Sequence, residues 1–427
     1  MTIQDKKRIA VIGLGYIGLP TAVVLAVNGH DVTGVDVKQS TVEAINRGEL
    51  PFVEPDLGAS LTGTVAAGKL RATTSTPEAE AYIVAVPTPF KDGHTADLSF
   101  IEAAAKGIAP QLRGGELIIL ESTSPPGATQ HMADIIMDER PDLSLGGDAS
   151  NSIHVAHCPE RVLPGRVMIE LVENDRIVGG LTPGAAEMAK NLYSSFCKAD
   201  IHITDAVTAE MAKLVENSFR DVNIAFANEL SVIADKLNVD VWELIELANH
   251  HPRVNILQPG PGVGGHCIAV DPWFIVSAMP DDAKIIRLAR ETNDSKPQIV
   301  IDKALTALIG VESPTIAALG LAFKADIDDL RESPARDIAG RLADAIPNGQ
   351  LLAVEPNILE LPAELHNRKN VRLSELEPAI AAADLILLLV DHEEFKKFDT
   401  DKLLDKKVID TRGAWRQVQT NAPALVL

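Results

Sequence analysis

The sequence predicts an α/β fold in which two Rossmann-like, doubly wound domains are joined by a central helical region with one long helix. Three patterns indicate this: short apolar runs alternate with amphipathic segments near both ends, a long amphipathic stretch separates them, and the later runs repeat the order of the earlier ones. Buried parallel strands read as continuous apolar runs, whereas surface helices repeat apolar residues every three or four positions. We therefore predict domains at residues 1–203, 204–310 and 311–427.

The first domain is predicted from five short apolar runs separated by helical segments. These are residues 9–12, 31–35, 81–86, 117–120 and 153–156. The uncharged stretch 9–27 follows Lys6-Lys7-Arg8 and has the outline of a signal peptide or membrane span. Because three glycines with the spacing of a phosphate-binding turn lie inside it, we interpret it as strand, turn and helix and expect no membrane insertion.

The central region is predicted to contain one long amphipathic helix, because apolar residues recur at spacings of three and four over more than twenty residues without Gly or Pro. They are Met211, Leu214, Val215, Phe219, Val222, Phe226, Leu230 and Ile233. Further helices are expected to about Lys296.

The last domain is predicted from a repeat of the first. Residues 315–319 with Gly320 resemble 9–12 with Gly13, and two later runs, 385–390 and 407–410, resemble 83–86 and 117–120. The glycine fingerprint is absent from the second copy. Only the first domain is therefore expected to hold a dinucleotide in the standard manner.

Composition limits the partners. The 427 residues include 39 Lys and Arg against 60 Asp and Glu, a net charge of −21. Nucleic acid and anionic membranes need a basic surface and are excluded as partners. The three cysteines, Cys158, Cys197 and Cys267, are too scattered for a disulfide framework or a metal site. We expect a cytoplasmic protein without a metal.

A dinucleotide-binding turn is predicted at Gly13-x-Gly15-x-x-Gly18, which follows a predicted strand and opens a predicted helix. The first glycine permits the tight turn, the second lets the backbone approach a pyrophosphate, and the third lets the helix pack on the strand. Asp36 lies 18 residues after Gly18, where its carboxylate can accept hydrogen bonds from the adenosine ribose and would repel a 2′-phosphate. This favours NAD over NADP.

Further site candidates follow other predicted strands of the first domain. Thr88, Thr123 and Glu160 stand at strand ends, and ligands of open α/β sheets bind at the carboxyl ends of strands. For Ser122 we favour a turn or capping role.

On the long helix, Lys213, Asn217 and Arg220 occupy positions i, i+4 and i+7 and so share one stripe. A solvated polar stripe and a site for an anionic or polyhydroxyl ligand are equally consistent with this pattern.

A thiol follows a loop with four glycines in six residues, 260–265. We predict that this loop closely surrounds a ligand and that Cys267 is a nucleophile; the alternative is a small buried filler. Asp271-Pro272 reads as the N-cap and first residue of a helix. In the segment 323–334, Lys324 and Arg331 are predicted phosphate contacts, with a surface ion-pair loop as the alternative.

Together these motifs resemble the UDP-glucose/GDP-mannose dehydrogenase family over essentially the whole chain and in the family's order. The motifs are Gly13-Leu14-Gly15-Tyr16-Ile17-Gly18, Val86-Pro87-Thr88-Pro89, Glu121-Ser122-Thr123, the Lys213/Asn217 helix, Gly262-Val263-Gly264-Gly265-His266-Cys267, and Phe323-Lys324 through Ser333-Pro334. The resemblance implies four-electron oxidation of a UDP-sugar at C6 by two NAD, through a thiohemiacetal and a thioester on Cys267.

The resemblance also implies a substrate class. The family's Cys-x-Pro-Lys-Asp segment is here Cys267-Ile268-Ala269-Val270-Asp271. This variant resembles family members that act on UDP-N-acetyl-D-mannosamine, with UDP-N-acetylglucosamine, UDP-N-acetylgalactosamine and UDP-glucose as alternatives. A two-electron hydroxyacid dehydrogenase would need no Cys267, and a nucleotide sensor without turnover would need none of the reactive groups.

Site roles carried over from the family fall into three groups. NAD contacts are implied for Gly13, Gly15, Tyr16, Ile17, Gly18, Asp36, Thr88, Thr123 and Arg331. Contacts to the nucleotide sugar are implied for Arg161, Lys213, Asn217, Arg220, His251, Arg253, Gly264 and Lys324. Catalysis is implied for Cys267, Lys213, Asn217, Asp271, Glu160 and Thr123. No glycine-rich loop surrounds Cys158, so we interpret this thiol as structural or as a bystander near the site. Pairing of two copies through the central helices is implied as well, with His251 and Arg253 serving the neighbouring subunit's site.

Overall fold

The computed structural model describes residues 6–52, 54, 56–162, 165–265 and 267–416, and the chain divides into two units, Met1–Glu216 and Asn217–Leu427. Helix α8 (Ala206–Leu237) spans the boundary between them in sequence. The division into three domains stays a prediction.

The first unit is built on a mostly parallel sheet. Its strands are β1 (Arg8–Ile12), β2 (Asp31–Val35), β3 (Leu70–Thr73), β4 (Ala81–Val84), β5 (Leu117–Leu120), β6 (Ser144–Leu145), β7 (Ser152–His157), β8 (Arg176–Gly180) and β9 (Ile201–Asp205). Its helices before α8 are α1 (Gly18–Val27), α2 (Gln39–Asn46), α3 (Leu57–Ala66), α4 (Ser99–Ile108), α5 (Ala128–Glu139), α6 (Val167–Glu173) and α7 (Pro183–Tyr193). The strand order is β3-β2-β1-β4-β5-β7-β8-β9, with β6 beside β7, and β8 runs antiparallel to β7.

Strand β1 shows why apolar runs form this sheet. Ile9 and Val11 enter the core on one face of the sheet, while Ala10 and Ile12 enter the core on the other. Successive side chains of a strand point to opposite faces, so a strand covered by helices on both sides needs apolar residues at every position. The predicted runs 31–35 and 117–120 coincide with β2 and β5.

The second unit contains helices and a smaller parallel sheet. Its helices are α9 (Val241–Asn249), α10 (Asp271–Ala278), α11 (Lys284–Ala307), α12 (Pro334–Ala345), α13 (Ala363–His366), α14 (Leu376–Ala382) and α15 (Glu393–Lys396). Its strands are β10 (Thr315–Leu319), β11 (Gln350–Val354), β12 (Val371–Leu373), β13 (Leu385–Leu388) and β14 (Lys407–Asp410). The central helices extend to Ala307, beyond the predicted end near Lys296.

The strand order of the second sheet is β12-β11-β10-β13-β14, which repeats the order β3-β2-β1-β4-β5 of the first. Leu385 and Leu387 of β13 enter one core and Ile386 and Leu388 the other, so this sheet is also covered on both faces. The predicted fold class is therefore confirmed, together with the internal repeat. In the part of the chain that the structure describes, no helix is long and apolar enough to cross a membrane.

Candidate active site

The glycine turn follows β1 and shows a different need at each glycine. Gly13 has φ +93°, and a Cβ on it would lie 2.5 Å from the Ala85 carbonyl oxygen; a Cβ on Gly18 would lie 1.9 Å from the Gly13 oxygen. Around Gly15 a Cβ would meet no protein atom within 4 Å. Packing therefore requires the first and third glycines, while the second leaves room for a ligand against the backbone, as a pyrophosphate needs.

Asp36 stands beside this turn, directly after β2. Its Oδ2 accepts a hydrogen bond from the Leu14 amide (3.1 Å) and its Oδ1 one from the Lys38 amide (2.9 Å). The glycine turn and the acid are thus in contact, as binding of one adenosine ribose and pyrophosphate requires. Tyr16 lies on the same turn with its ring centroid 4.3 Å from that of Phe52, and Ile17 immediately precedes α1. These residues fit an NAD molecule.

Thr88 and Thr123 meet at the carboxyl ends of β4 and β5. The Thr88 hydroxyl donates a hydrogen bond to the Thr123 carbonyl oxygen (2.5 Å). Ser122 is buried, and its hydroxyl donates to the Val86 carbonyl (2.6 Å), which agrees with a structural role.

Glu160 belongs to a buried ionic cluster that the sequence did not reveal. One Arg176 nitrogen lies 3.1 Å from Glu160 Oε2, another lies 3.9 Å from Glu121 Oε1, and the guanidinium packs 4.7 Å from the centre of the Tyr193 ring. Burial, followed by the nearby Glu160 carboxylate, raises the pKa of Glu121 to about 7. The position of Glu121 at the end of a predicted strand could have identified it as a member of this cluster. Arg176 is the first residue of β8, and no sequence pattern marks it.

Cys158 lies in the same cluster. It is fully buried, with its sulfur 3.7 Å from Arg176 Nη1, and burial raises the pKa of the Cys158 thiol to about 12. A thiol that stays protonated is a poor nucleophile, so the environment agrees with the structural role expected for Cys158.

Arg161 has a protein partner in the first unit. Its guanidinium forms an ion pair with Glu216 of α8 (2.7 Å) and donates to the Asp175 carbonyl (3.1 Å). Lys213 lies about one turn before Glu216 on α8 and is half-buried. Substrate binding by either residue stays a prediction.

In the second unit, the predicted catalytic pair Asn217 and Asp271 is in contact. The Asn217 amide nitrogen donates to Asp271 Oδ2 (2.5 Å), and both side chains are buried. Asp271 is the first residue of α10 and Pro272 the second, so the predicted cap is one residue late and Val270 precedes the helix. The Asp271 carboxylate is directed to Asn217.

Cys267 lies one turn before α10. Its carbonyl oxygen accepts hydrogen bonds from the amides of Asp271 (2.8 Å) and Val270 (3.1 Å), and its side chain is exposed. The backbone turn therefore connects Cys267 directly to the Asn217–Asp271 pair. His266, quoted in the sequence motif, lies outside the described residues.

The glycine loop, residues 260–265, packs against the β10–α12 loop, residues 320–333. A Cβ on Gly264 would lie 2.5 Å from the Glu332 oxygen, one on Gly262 would lie 2.8 Å from Pro334, and one on Gly265 would lie 3.1 Å from the Phe323 ring. Protein packing accounts for a glycine at each of these three positions, and the ligand contact of this loop stays a prediction.

The β10–α12 loop carries two cations that were predicted to contact phosphate, Lys324 and Arg331, in different surroundings. Lys324 is exposed and follows Phe323, which packs on the glycine loop. Arg331 makes two hydrogen bonds to the Asp329 carboxylate (2.8 and 2.6 Å), as in a surface ion pair.

Three further candidates are exposed: Arg220 on α8, and His251 and Arg253 after α9. The Arg253 amide donates to His251 Nδ1 (3.3 Å), a contact local to the turn. Their expected roles stay predictions.

A cleft of about 560 Å³ in the second unit contains cations that the sequence reading missed. Its lining residues are Trp242, Glu246, Asn249, His250, Gln258, Arg412, Gly413 and Arg416. Arg412 follows β14 and forms an ion pair with Asp391 (2.9 Å). Its position just past a strand end is the signal that could have identified it.

A dinucleotide turn with a ribose-type carboxylate in one unit, and an exposed cysteine beside a buried Asn–Asp pair in the other, define a nucleotide-dependent oxidoreductase. Models of the UDP-glucose/GDP-mannose dehydrogenase family match three segments: the NAD binding domain over residues 7–197, the central domain over 207–295 and the UDP binding domain over 317–417.

Individual proteins agree with these matches. NDP-N-acetyl-D-galactosaminuronic acid dehydrogenase of Ralstonia nicotianae is 56% identical over 414 residues, which cover 96% of this chain and 97% of that protein. UDP-N-acetyl-D-mannosamine dehydrogenase of Salmonella typhi is 54% identical over 418 residues, covering 96% and 99%. A solved structure of the UDP-D-ManNAc dehydrogenase from Pyrococcus horikoshii has a TM-score of 0.86 at 38% identity, covering 98% of each chain.

The chain therefore belongs to the UDP-glucose/GDP-mannose dehydrogenase family. It is an NAD-dependent UDP-sugar dehydrogenase, an oxidoreductase.

Proposed function

We propose that this dehydrogenase oxidises UDP-N-acetyl-D-mannosamine at C6 to UDP-N-acetyl-D-mannosaminuronate. The similarity to the Salmonella typhi enzyme, over nearly the full length of both chains, carries this proposal. Because the Ralstonia nicotianae relative is named for an N-acetyl-D-galactosaminuronic acid, the galactosamine epimer is the first alternative. UDP-N-acetylglucosamine and UDP-glucose follow.

The residues of the chain supply covalent catalysis. NAD, when bound, takes up one hydride in each of two oxidations. After the first oxidation, the Cys267 thiolate adds to the C6 aldehyde and forms a thiohemiacetal, which the second oxidation converts into a thioester. Water then cleaves the carbon–sulfur bond, releasing the carboxylate and the Cys267 thiol. The exposure of Cys267 supports this role, since a fully buried thiol could not reach a sugar.

Asn217 and Lys213 are proposed to stabilise the oxyanion that develops at C6. An amide nitrogen has two protons, and one of those on Asn217 is donated to Asp271, which fixes the orientation of the other. We assign Asp271 and Glu160 to handling the attacking water, and Thr123 to the cofactor side. Glu160 is held by Arg176 and by the Arg161 amide (2.6 Å).

Substrate binding is proposed for the exposed cations. Lys324, Arg220 and Arg253 supply positive charge in a chain of net charge −21, where a diphosphate needs local cations. Arg161, His251 and Gly264 complete the set, and Arg331 is assigned to NAD. We also propose that the enzyme works in the cytoplasm.

We propose that two copies pair through α8. Its exposed face carries apolar side chains, with Phe219 68% and Phe226 50% exposed, while its buried face carries Asn217, Asp221 and Asn228. The buried face also carries apolar residues such as Leu214 and Ala225, so the exposed apolar stripe is additional to the part of the helix that packs in its own core. A second copy of the helix would cover this stripe.

A panel of UDP-sugars tests the function. NADH formation followed at 340 nm, with product mass, should show the highest kcat/KM for UDP-N-acetyl-D-mannosamine and two NADH per acid formed. One NADH per substrate would indicate a two-electron dehydrogenase, and higher kcat/KM for another sugar would reassign the substrate. If no sugar of the panel gives NADH, the protein would be a nucleotide sensor instead.

A further inference from the structure

The second sheet repeats the turn and acid of the first. Gly320 follows β10 with φ +91°, as Gly13 follows β1 with φ +93°. The Gly320 amide donates to Val354 and the Gly13 amide to Val35, both at 2.8 Å. Glu355 follows β11 as Asp36 follows β2, so it occupies the place of a ribose-binding carboxylate.

Glu355 is nevertheless committed to protein groups. Its Oε2 accepts from the amides of Leu321 (2.8 Å) and Ala322 (3.0 Å) and lies 3.1 Å from His392 Nε2. Its Oε1 accepts from the Asn357 side chain (3.2 Å), and Glu355 is 4% exposed. Burial alone would raise the pKa of Glu355, but the hydrogen bonds from His392 and the two amides hold it below its ordinary value. In the second sheet, the carboxylate at this position is therefore buried and bound to protein groups.

His392 extends this contact into the β10–α12 loop. It is 1% exposed, and its Nδ1 accepts a hydrogen bond from the Asp326 amide (2.9 Å). Because a backbone amide only donates, Nδ1 is the acceptor and Nε2 carries the proton that is donated to Glu355.

Asp326 has a left-handed backbone conformation, as Glu332 of the same loop also does (φ +48°). The φ of Asp326 is +61°, a left-handed conformation that residues with a side chain rarely adopt, although Asp does so more often than most. The Asp326 amide is held by His392, and its carboxylate accepts from the Glu393 amide (3.0 Å). The loop is thus fixed at Leu321 and Ala322 by Glu355 and at Asp326 by His392.

We propose that Glu355 and His392 are positioning residues for UDP-sugar binding: they replace ribose recognition at the second sheet with a fixed β10–α12 loop. This loop carries Lys324 and packs on the glycine loop that leads to Cys267. For its ligand, the proposal rests on the proposed function.

Two matched substitutions separate the hydrogen bonds of His392. His392→Asn places an oxygen near Nδ1 and keeps an acceptor for Asp326, whereas His392→Gln places an amide nitrogen near Nε2 and keeps a donor for Glu355. We expect His392→Gln to raise the KM for the UDP-sugar and the Kd for UDP roughly fivefold above the His392→Asn values, the effect of about one lost hydrogen bond. The KM for NAD should be equal in both variants.

Hydrogen exchange tests the loop without any ligand. In His392→Gln, amides of residues 323–330 should exchange faster than in His392→Asn or the wild type. Phe395→Leu is the control for lost packing: its ring lies 5.2 Å from the His392 ring, so it should lower Tm without changing loop exchange or KM. If His392→Gln does not fold, Glu355→Gln replaces it, since in either orientation the Gln nitrogen would face backbone donors, those of Leu321 and Ala322 or that of Asn357.

Equal exchange and equal KM in the Asn and Gln variants would overturn the proposal, as would a parallel rise in the KM for NAD. A wild type that oxidises no UDP-sugar but shows the exchange difference would contradict the proposed function and leave the loop anchoring intact.

Discussion

At the scale of single residues, two cysteines near site motifs have opposite environments. Cys158 is buried against Arg176 with its thiol pKa raised to about 12, whereas Cys267 is exposed on a turn whose carbonyl accepts the first amide of α10. Nucleophilic reactivity follows the thiolate and its access. Placement in the fold therefore separates the proposed nucleophile from the structural thiol.

Replacing Cys267 by Ala or Ser should abolish net formation of the acid, because no thioester can form. NAD binding, measured by titration of intrinsic fluorescence, should stay within about twofold, since the first unit holds its own dinucleotide turn. Cys158→Ala is the matched control and should retain acid formation. Acid formation by Cys267→Ala at near the wild-type rate would rule out thioester catalysis.

Asp36→Asn should weaken the preference for NAD over NADP by roughly tenfold, since it removes the charge that repels a 2′-phosphate and weakens a hydrogen bond to ribose. The ratio of kcat/KM for the two cofactors measures this. Asp31→Asn, at the exposed start of the same strand, is the control and should leave the ratio unchanged. An unchanged ratio in Asp36→Asn would contradict the assigned ribose contact.

At the scale of elements, α8 has one face that is buried and one face that exposes apolar side chains. Leu214, Ser218 and Ala225 are buried, while Val215, Phe219 and Phe226 are exposed. The sequence pattern located the helix and its stripe but could not say which face meets the chain's own core, because apolar periodicity does not distinguish a core from a subunit interface.

Phe226→Asp should dissociate the proposed dimer. A charge in the centre of an apolar interface appears twice in a symmetric pair, so the dissociation constant should rise at least about 100-fold. Sedimentation velocity measures the change. Leu359→Asp, at a residue that is 97% exposed outside α8, should leave the association state as it is. A Phe226→Asp protein that sediments like the wild type would place the interface elsewhere.

Helix α11 contributes a buried lysine to the polar face of α8. Lys296 Nζ donates to the Ser231 hydroxyl (2.6 Å), and that hydroxyl donates to the Asn228 carbonyl (2.7 Å). Burial, followed by repulsion from Lys303, lowers the pKa of Lys296 to about 8. Because the unfolded chain holds this proton to about pH 10.4, the free energy of unfolding should rise with pH between those values.

Lys296→Met should therefore raise the free energy of unfolding at pH 7 by on the order of 2 kcal/mol, since it removes a buried charge and leaves the Ser231 bond to Asn228 in place. The gain should shrink as pH approaches 10, where the wild-type lysine is neutral. Urea unfolding of both proteins at the two pH values measures it. Lys236→Met, at an exposed lysine, should show no such trend, and a constant gain in Lys296→Met would contradict the assigned titration.

At the scale of the whole molecule, local patterns located part of each sheet. The strands β3, β6, β8, β9, β11 and β12 were not predicted. The runs 31–35, 117–120 and 315–319 coincide with strands that are largely buried, because a strand covered on both faces must be mostly apolar. The run 407–410 also coincides with a strand, β14 at the edge of the second sheet. The glycine turn and Asp36 were also predictable, because these residues lie close together in the sequence at a characteristic spacing.

Contacts between distant segments were not predictable. Arg176 meets Glu121 from 55 residues away, and His392 meets Asp326 across 66 residues. Arg161 looked available for substrate, yet Glu216 pairs with it. Such pairs depend on which strand ends become neighbours, and a single sequence does not state this.

The cluster around Arg176 has a consequence for how this chain can diverge. Thr21 of α1 donates to Glu121 (3.1 Å), and Arg176 lies between Glu121 and Glu160, so a row of buried groups leads from the cofactor helix to the proposed water-handling carboxylate. Removing one member of a buried ion pair leaves an unpaired charge, which costs about 3–5 kcal/mol. This penalty applies to the charged members, so descendants of this chain should keep or lose Glu121, Arg176 and Glu160 together.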